Sequence, residues 1–204
     1  MTPFSPRIHA ALDFAAVHHH EQKRKDADVA IPYVSHLFGV CYILAQYDFE
    51  EDVVVAGILH DFLEDIVDKH DRPDLADDMK GQFGDRVHKL VTLVTQQKRD
   101  AGGQKLPWHI RGESYRETLL SPTTPDEARA ISCADKIHNI ESLVMALGRM
   151  KGNEQAMWAK LQASPEDQLK KFVSLHAAIG SRWKHPIVDE LERKIRILGS
   201  AIAG

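Results

Sequence analysis

Cysteine is scarce in this chain of 204 residues, which has only Cys41 and Cys133. Two thiols make no disulfide framework and point to a reducing compartment, the cytosol. Long apolar runs are missing too. The longest, Val53 to Leu59, falls far short of the ~20 residues a membrane helix needs. Asp13 interrupts the only mildly apolar stretch near the N-terminus, which argues against a signal peptide. Nor is there an excess of positive charge: 26 Lys and Arg stand against 30 Asp and Glu, a formal net charge of −4. Non-specific nucleic-acid binding through bulk charge is thereby excluded, and no membrane partner is expected. Strand signals are lacking as well, with few alternating β-branched runs and no Asn-Gly hairpin turn.

What is present is a soluble, core-forming composition, 43% hydrophobic and 27% charged. Helical starts recur along it. Ser5-Pro6 opens a first helix expected to run to about Lys25, with Ile8, Leu12, Ala15 and Ala16 on one face. Ser35 is expected to cap a second helix. A third spans Glu50 to Asp65, with its acidic residues in the first turn, where the helix dipole favours them. Pro73, Gly84, Pro107, Pro125, Pro165 and Pro186 punctuate the remainder. Loops are expected at Lys69 to Asp74 and at Gln96 to Leu106, around Gly102-Gly103. No internal repeat, low-complexity tract or dividing linker is seen. The expectation is one all-α domain over residues 1–204, of about nine or ten helices.

Twelve histidines hint at metal or proton chemistry. On the third helix, at 100° per residue, Gly57, His60, Asp61 and Glu64 fall in one stripe, opposite Val55, Ile58, Leu59 and Phe62. Gly57 is expected to leave space over the polar face. A solvated face is the ordinary reading of such a stripe. Here it interrupts the most apolar helix of the chain, where buried His, Asp and Glu are costly without partners. A second helix, Glu127 to Gly148, carries Asp135, His138, Asn139 and Ser142 on one stripe. His36 offers a further imidazole. The set His36, His60, Asp61 and Asp135 mixes nitrogen and oxygen donors, which suits Mn²⁺, Fe²⁺ or Mg²⁺ better than an all-thiolate zinc site would.

The ordered motifs Tyr33-x-x-His36, His60-Asp61-Phe-Leu-Glu64-Asp65, Phe83-Gly84 and Ala134-Asp135-Lys136-x-His138-Asn139 resemble those of the HD-domain metal-dependent phosphohydrolases. Within that family they are most similar to the hydrolase domain of the RelA/SpoT-type guanosine polyphosphate 3′-pyrophosphohydrolases. The resemblance covers about residues 20–148, with C-terminal packing helices over about 153–200. It implies a helical HD-domain bundle and one divalent ion, Mn²⁺ first, with Fe²⁺, Mg²⁺ and Zn²⁺ as alternatives. His36, His60, Asp61 and Asp135 are implied as metal ligands, and Glu64 and Asp65 as the catalytic acidic pair. Arg24, Lys25, Lys136 and Asn139 are implied to bind a small-molecule nucleotide. The implied reaction is removal of pyrophosphate from guanosine 3′,5′-bis(diphosphate), ppGpp. The chain departs from the family pattern at Leu37, where Pro is usual, and at Ile66, where Thr is usual. Two extra residues also separate Arg24-Lys25 from Tyr33.

Two rival readings are an HD-type nucleotidase and a non-catalytic nucleotide-binding or scaffold protein. Against the latter, all six metal and acidic positions hold chemically competent residues. His18-His19-His20 reads as a solvated turn, and His138 as a packing or hydrogen-bonding neighbour as readily as a ligand. Trp108, Arg111, Tyr115 and Arg116 either border a substrate or form an amphipathic core helix. Val188 to Leu198 reads as a packing helix or a homo-oligomer contact.

Overall fold

The computed structural model describes residues 2–25, 30–100, 102–104, 106–150, 152–161 and 164–203. Among them are eleven α-helical segments, one a single turn, one π-helical segment and no strand. They are α1 (Pro6–His18), α2 (Val34–Gln46), α3 (Glu51–Ile58), the π-helical segment Leu63–Val67, the single turn α4 (Asp68–His70), α5 (Pro73–Phe83) and α6 (Asp85–Val94). There follow α7 (Trp108–Leu120), α8 (Asp126–Arg149), α9 (Glu154–Leu161), α10 (Pro165–Gly180) and α11 (Pro186–Ala203). No described helix is long and apolar enough to cross a membrane.

The breaks follow the chemistry of the residues that make them. Pro6, Pro73 and Pro165 sit in the first turns of α1, α5 and α10, where a missing N–H costs nothing. Gly84 joins α5 to α6 at φ 90°, a region that disfavours residues with a Cβ. Ser5 and Ser164 accept from the N–H groups of Ile8 and Asp167 and so cap α1 and α10.

α8 is the axis of the molecule. Ala128 to Ile137 are buried without interruption, because α2, α3, α6 and α11 all lie against it. α11 is amphipathic and runs along α8 with Ile187, Leu191, Ile195 and Leu198 buried. α10 packs on α11 and α7. The α7–α8 turn closes on Arg129, whose guanidinium is 4% exposed and donates to the carbonyls of Leu119, Ser121 and Thr124 at 2.7–3.0 Å. Those bonds satisfy carbonyls that the chain reversal would otherwise strand.

Three expected boundaries differ. α1 ends at His18, because Arg24 N–H pairs with Ile31 O at 3.0 Å and Tyr33 N–H with Gln22 O at 2.9 Å, drawing the chain into an antiparallel bridge between Lys23 and Pro32. Ser35 does not cap α2, whose N-cap is Tyr33; its hydroxyl donates to Pro32 O at 2.8 Å. The third helix is not continuous to Asp65: α3 stops at Ile58, residues 59–61 turn, and a π-helical segment follows. Gly57 also acts differently from expectation. A Cβ there would lie 2.3 Å from Leu44 Cδ1, so the glycine admits α2 on the core side rather than clearing the polar face.

Candidate metal centre and active site

The interruption after α3 is where the functional side chains converge. His60 and Asp61 lie in the turn between α3 and the π-helical segment, a wide-turn geometry that recurs at functional sites. His36 comes from the first turn of α2 and Asp135 from the middle of α8. His36 Nε2 lies 3.3 Å from His60 Nε2 and 3.3 Å from Asp135 Oδ1. His60 Nε2 is 2.9 Å from Asp61 Oδ2 and 3.8 Å from Asp135 Oδ1. His36 Nε2 is 3.7 Å from Asp61 Oδ2. His36, His60 and Asp135 have ligand atoms all within 4.8 Å of one another, and all three residues are buried. These two imidazoles and one carboxylate form a donor set that fits a divalent cation; Asp61 lies outside that cluster but beside its two imidazoles.

Neighbours aim each donor. His60 Nδ1 meets Gly57 O at 2.8 Å, so it carries the hydrogen and leaves Nε2 facing the cluster. His36 Nδ1 lies 2.9 Å from His138 Nδ1, and the two rings meet edge to face. His138 thus supports a ligand imidazole and does not face the cluster. Gly39 makes room for it, since a Cβ there would fall 1.9 Å from His138 Cδ2. Tyr33 donates its hydroxyl to Asp61 Oδ2. Asp135 accepts from the Lys136 ammonium and the Asn139 amide. Asn139 in turn accepts from Arg24 Nη2 at 3.1 Å, and the Arg24 guanidinium stands 5.8 Å from the centre of the Tyr33 ring.

Charge follows from these contacts. Burial holds the His36 imidazole below its ordinary pKa, with Asp135 pulling the other way. For His60 burial also disfavours the charge, but Asp61 and Asp135 outweigh it and raise the group to about 9. The Asp61 and Asp135 carboxyls are both held low: burial opposes this, but His60 outweighs it at Asp61 and Lys136 at Asp135. With no other cation in place, the cluster holds a proton that a metal would displace.

Glu64 and Asp65, from the π-helical segment, form the next layer. Glu64 Oε2 accepts Gln96 N–H at 3.1 Å, and its Oε1 lies 3.3 Å from Lys98 Nζ. Burial and then Asp61 raise the Glu64 pKa, while Lys98 pulls it back. Asp65 accepts from Lys98 Nζ at 2.8 Å and from Gln22 Nε2 at 2.7 Å. Gln22 also meets His19 Nδ1 at 2.7 Å, and His19 stacks on Tyr33 with ring centres 5.4 Å apart. His19 is 2% exposed, so the His18–His20 run is not a solvated turn. His18 packs on Phe14 and Phe62, and only His20 is exposed.

A cavity of about 590 Å³ opens over this cluster, lined by Arg24, Lys25, Asp61, Glu64, Asp65, Lys98, Arg111, Lys136, Asn139 and Lys171 among others. All four expected nucleotide-binding residues reach it. Lys25 is exposed at its edge, and Lys136 is buried with its ammonium on Asp135 and 5.5 Å from the Tyr115 ring centre. Tyr115 itself is buried and donates to Ser132 Oγ at 2.9 Å. The side chains of Trp108 and His109 lie outside the described residues. Sequence reasoning did not single out Gln22, Lys98 and Lys171. Lys98 lies in a loop without periodicity, and its contacts with Glu64 and Asp65 span more than thirty residues.

Fold and donor set define a class, and the family comparison agrees with it. A profile of the HD domain matches residues 11–168, and the chain belongs to the HD domain family. It is 35% identical over 135 residues to the guanosine-3′,5′-bis(diphosphate) 3′-pyrophosphohydrolase MESH1 of Mus musculus, covering 65% of this chain and 67% of that one. It is 31% identical over 136 residues to the guanosine-3′,5′-bis(diphosphate) 3′-pyrophosphohydrolase of Aquifex aeolicus (strain VF5), covering 67% of this chain and 18% of that one. The chain thus spans less than a fifth of the length of the Aquifex relative. In fold it matches the solved structure of a metazoan ortholog of SpoT that hydrolyses ppGpp, with TM-score 0.65 and 24% identity over 96% of this chain and 97% of that one.

Proposed function

We propose that the chain is a metal-dependent phosphohydrolase that releases pyrophosphate from the 3′ position of ppGpp. One observation carries the reading: His36, His60 and Asp135 cluster with Asp61 beside them, at a cavity that is also lined by Glu64, Asp65, Arg24 and Tyr33. Both MESH1 and the Aquifex relative are named for this reaction.

His36 Nε2, His60 Nε2, Asp61 Oδ2 and Asp135 Oδ1 would hold the ion; such a mixed donor set suits Mn²⁺, Fe²⁺ or Mg²⁺, and the family resemblance puts Mn²⁺ first. When bound, a divalent ion makes water more acidic and polarises a phosphoryl oxygen. Glu64 is the base. Burial and Asp61 raise its pKa, which makes it a better proton acceptor than an ordinary glutamate. A water oxygen bonds to the phosphorus next to O3′, and the P–O3′ bond breaks. The water proton passes to Glu64, and the acidic pair returns a proton to O3′. Asp65, bound to Lys98 and Gln22, holds that ammonium and amide in place around the water. Arg24 offers a planar cation for stacking on a purine, while Asn139 and Lys25, which line the same cavity, would serve the ribose and a phosphate.

The same reading takes residues 1–204 as one domain, with α11 seated along α8. It places the enzyme in the cytosol, in keeping with two buried reduced thiols. The test is turnover by Mn²⁺-loaded protein on ppGpp and on nucleoside monophosphates. Stoichiometric pyrophosphate from ppGpp is the expected result. Turnover of monophosphates with ppGpp left intact would hand the site to the nucleotidase reading.

A further inference from the structure

Three of the cations that line the cleft are already engaged. Lys98 is bound to Glu64 and Asp65, Lys136 to Asp135, and Arg24 to Asn139. The wall contributed by α7 and α10, which pack on each other, is different. It presents Arg111 and Lys171 to the same cavity. Neither side chain makes a hydrogen bond or a salt bridge among the described residues, and Arg111 Nε is buried without a partner. Lys171 also borders an adjoining pocket of about 210 Å³. Lys171 is an exposed residue. Desolvation, together with Lys136 and Arg111, pushes its ammonium down to about 8 against the pull of Asp135 and Glu64. Two cations facing one cavity without a counter-ion form a site that an anion would complete, and guanidinium and ammonium together suit phosphate oxygens.

We propose that Arg111 and Lys171 form a second anion subsite, which takes the 5′-diphosphate of the nucleotide while its 3′-diphosphate lies at the metal centre. This rests on the ppGpp reading above. It makes the two residues determinants of specificity for a nucleotide charged at both ends, because a substrate with a free 5′-hydroxyl leaves the subsite empty.

The experiment is steady-state kinetics on metal-loaded Arg111→Met, Lys171→Met and the double variant. The substrates are ppGpp and guanosine 3′-diphosphate with a free 5′-hydroxyl. Each single variant is expected to raise KM for ppGpp roughly tenfold to a hundredfold, the range for one lost hydrogen bond to a charged group. Values of kcat should stay within about threefold, KM for the short substrate should not change, and Lys171→Arg should restore much of the affinity. If ppGpp is turned over but KM shifts equally for both substrates, or for neither, the subsite is refuted and the function stands. Calorimetry with inorganic pyrophosphate on the metal-free protein reads the subsite without turnover. Binding weakened at least tenfold in the double variant supports it, and binding unchanged refutes it, even if wild-type protein leaves ppGpp intact and the function fails.

Discussion

The metal cluster and the α7–α10 wall of the cleft are built differently. At the metal cluster every charged group has a protein partner: His36 has His138, His60 has Gly57 O, Asp61 has Tyr33, and Asp135 has Lys136 and Asn139. On the wall formed by α7 and α10, Arg111 and Lys171 have none among the described residues. The cluster is assembled before anything binds, and the wall waits for a ligand to complete it. Preassembly suits the part where an ion and a reacting water must be held in register, because reorganisation there would add to the barrier. Incompleteness suits a binding wall, where unspent cations retain their attraction for an incoming anion.

The sharpest way to break this contrast is to remove a donor from the assembled cluster. Asp135→Ala should take bound metal, measured by elemental analysis, from near stoichiometric to background, and ppGpp turnover with it. A variant that kept its metal would remove Asp135 from the ligand set. Glu64→Gln is expected next in size, with kcat lower by roughly 10²–10⁴-fold, the usual contribution of a positioned base. Metal content should be retained, and metal lost in step with activity would make Glu64 a ligand instead.

His138→Ala tests whether support one layer out matters. Metal affinity should fall about 10–100-fold, the typical effect of losing such a partner. Gly39→Ala should weaken binding in the same direction, because its Cβ would collide with the His138 ring. Normal affinity in both variants would show that α2 alone aims His36.

The pH profile reads Glu64 through its neighbour. Its pKa is raised by burial and Asp61 and lowered by Lys98, and the base form is lost as pH falls through that value. Lys98→Met removes the lowering influence, so the acid limb of kcat/KM should move to higher pH. An unmoved limb, or one shifted down, would assign it to another group. The smallest effect expected is on stability alone. Gly57→Ala would place a methyl 2.3 Å from the fully buried Leu44 and should cost about 1–3 kcal/mol by overpacking, read as a lower denaturant midpoint.

Helix content, the punctuation at Pro73, Gly84, Pro165 and Pro186, and the ligand candidates were all legible in the residues. Each is a local property: a proline lacks an N–H, a glycine tolerates positive φ, and the motifs announce themselves by residue type and order. Where α1 ends was not legible, because the bridge between Lys23 and Pro32 competes with the helix only when the chain returns. The break between Ile58 and Leu63 was hidden for a similar reason, since 100° periodicity assumes the regular helix that the site itself interrupts. Burial of His19 and the pairing of His36 with His138 depend on residues far apart in sequence. The clearest case is a pair of lysines that line the cleft. Lys98 and Lys171 look alike in sequence, yet one is bound to Glu64 and Asp65 and the other faces the cavity with no partner among the described residues. Sequence by itself determined that this chain is helical and carries the ordered His-Asp motifs of an HD domain. Only the tertiary structure decided which charges are spent on one another and which remain for a ligand, because pairing depends on distance in space and not on position along the chain.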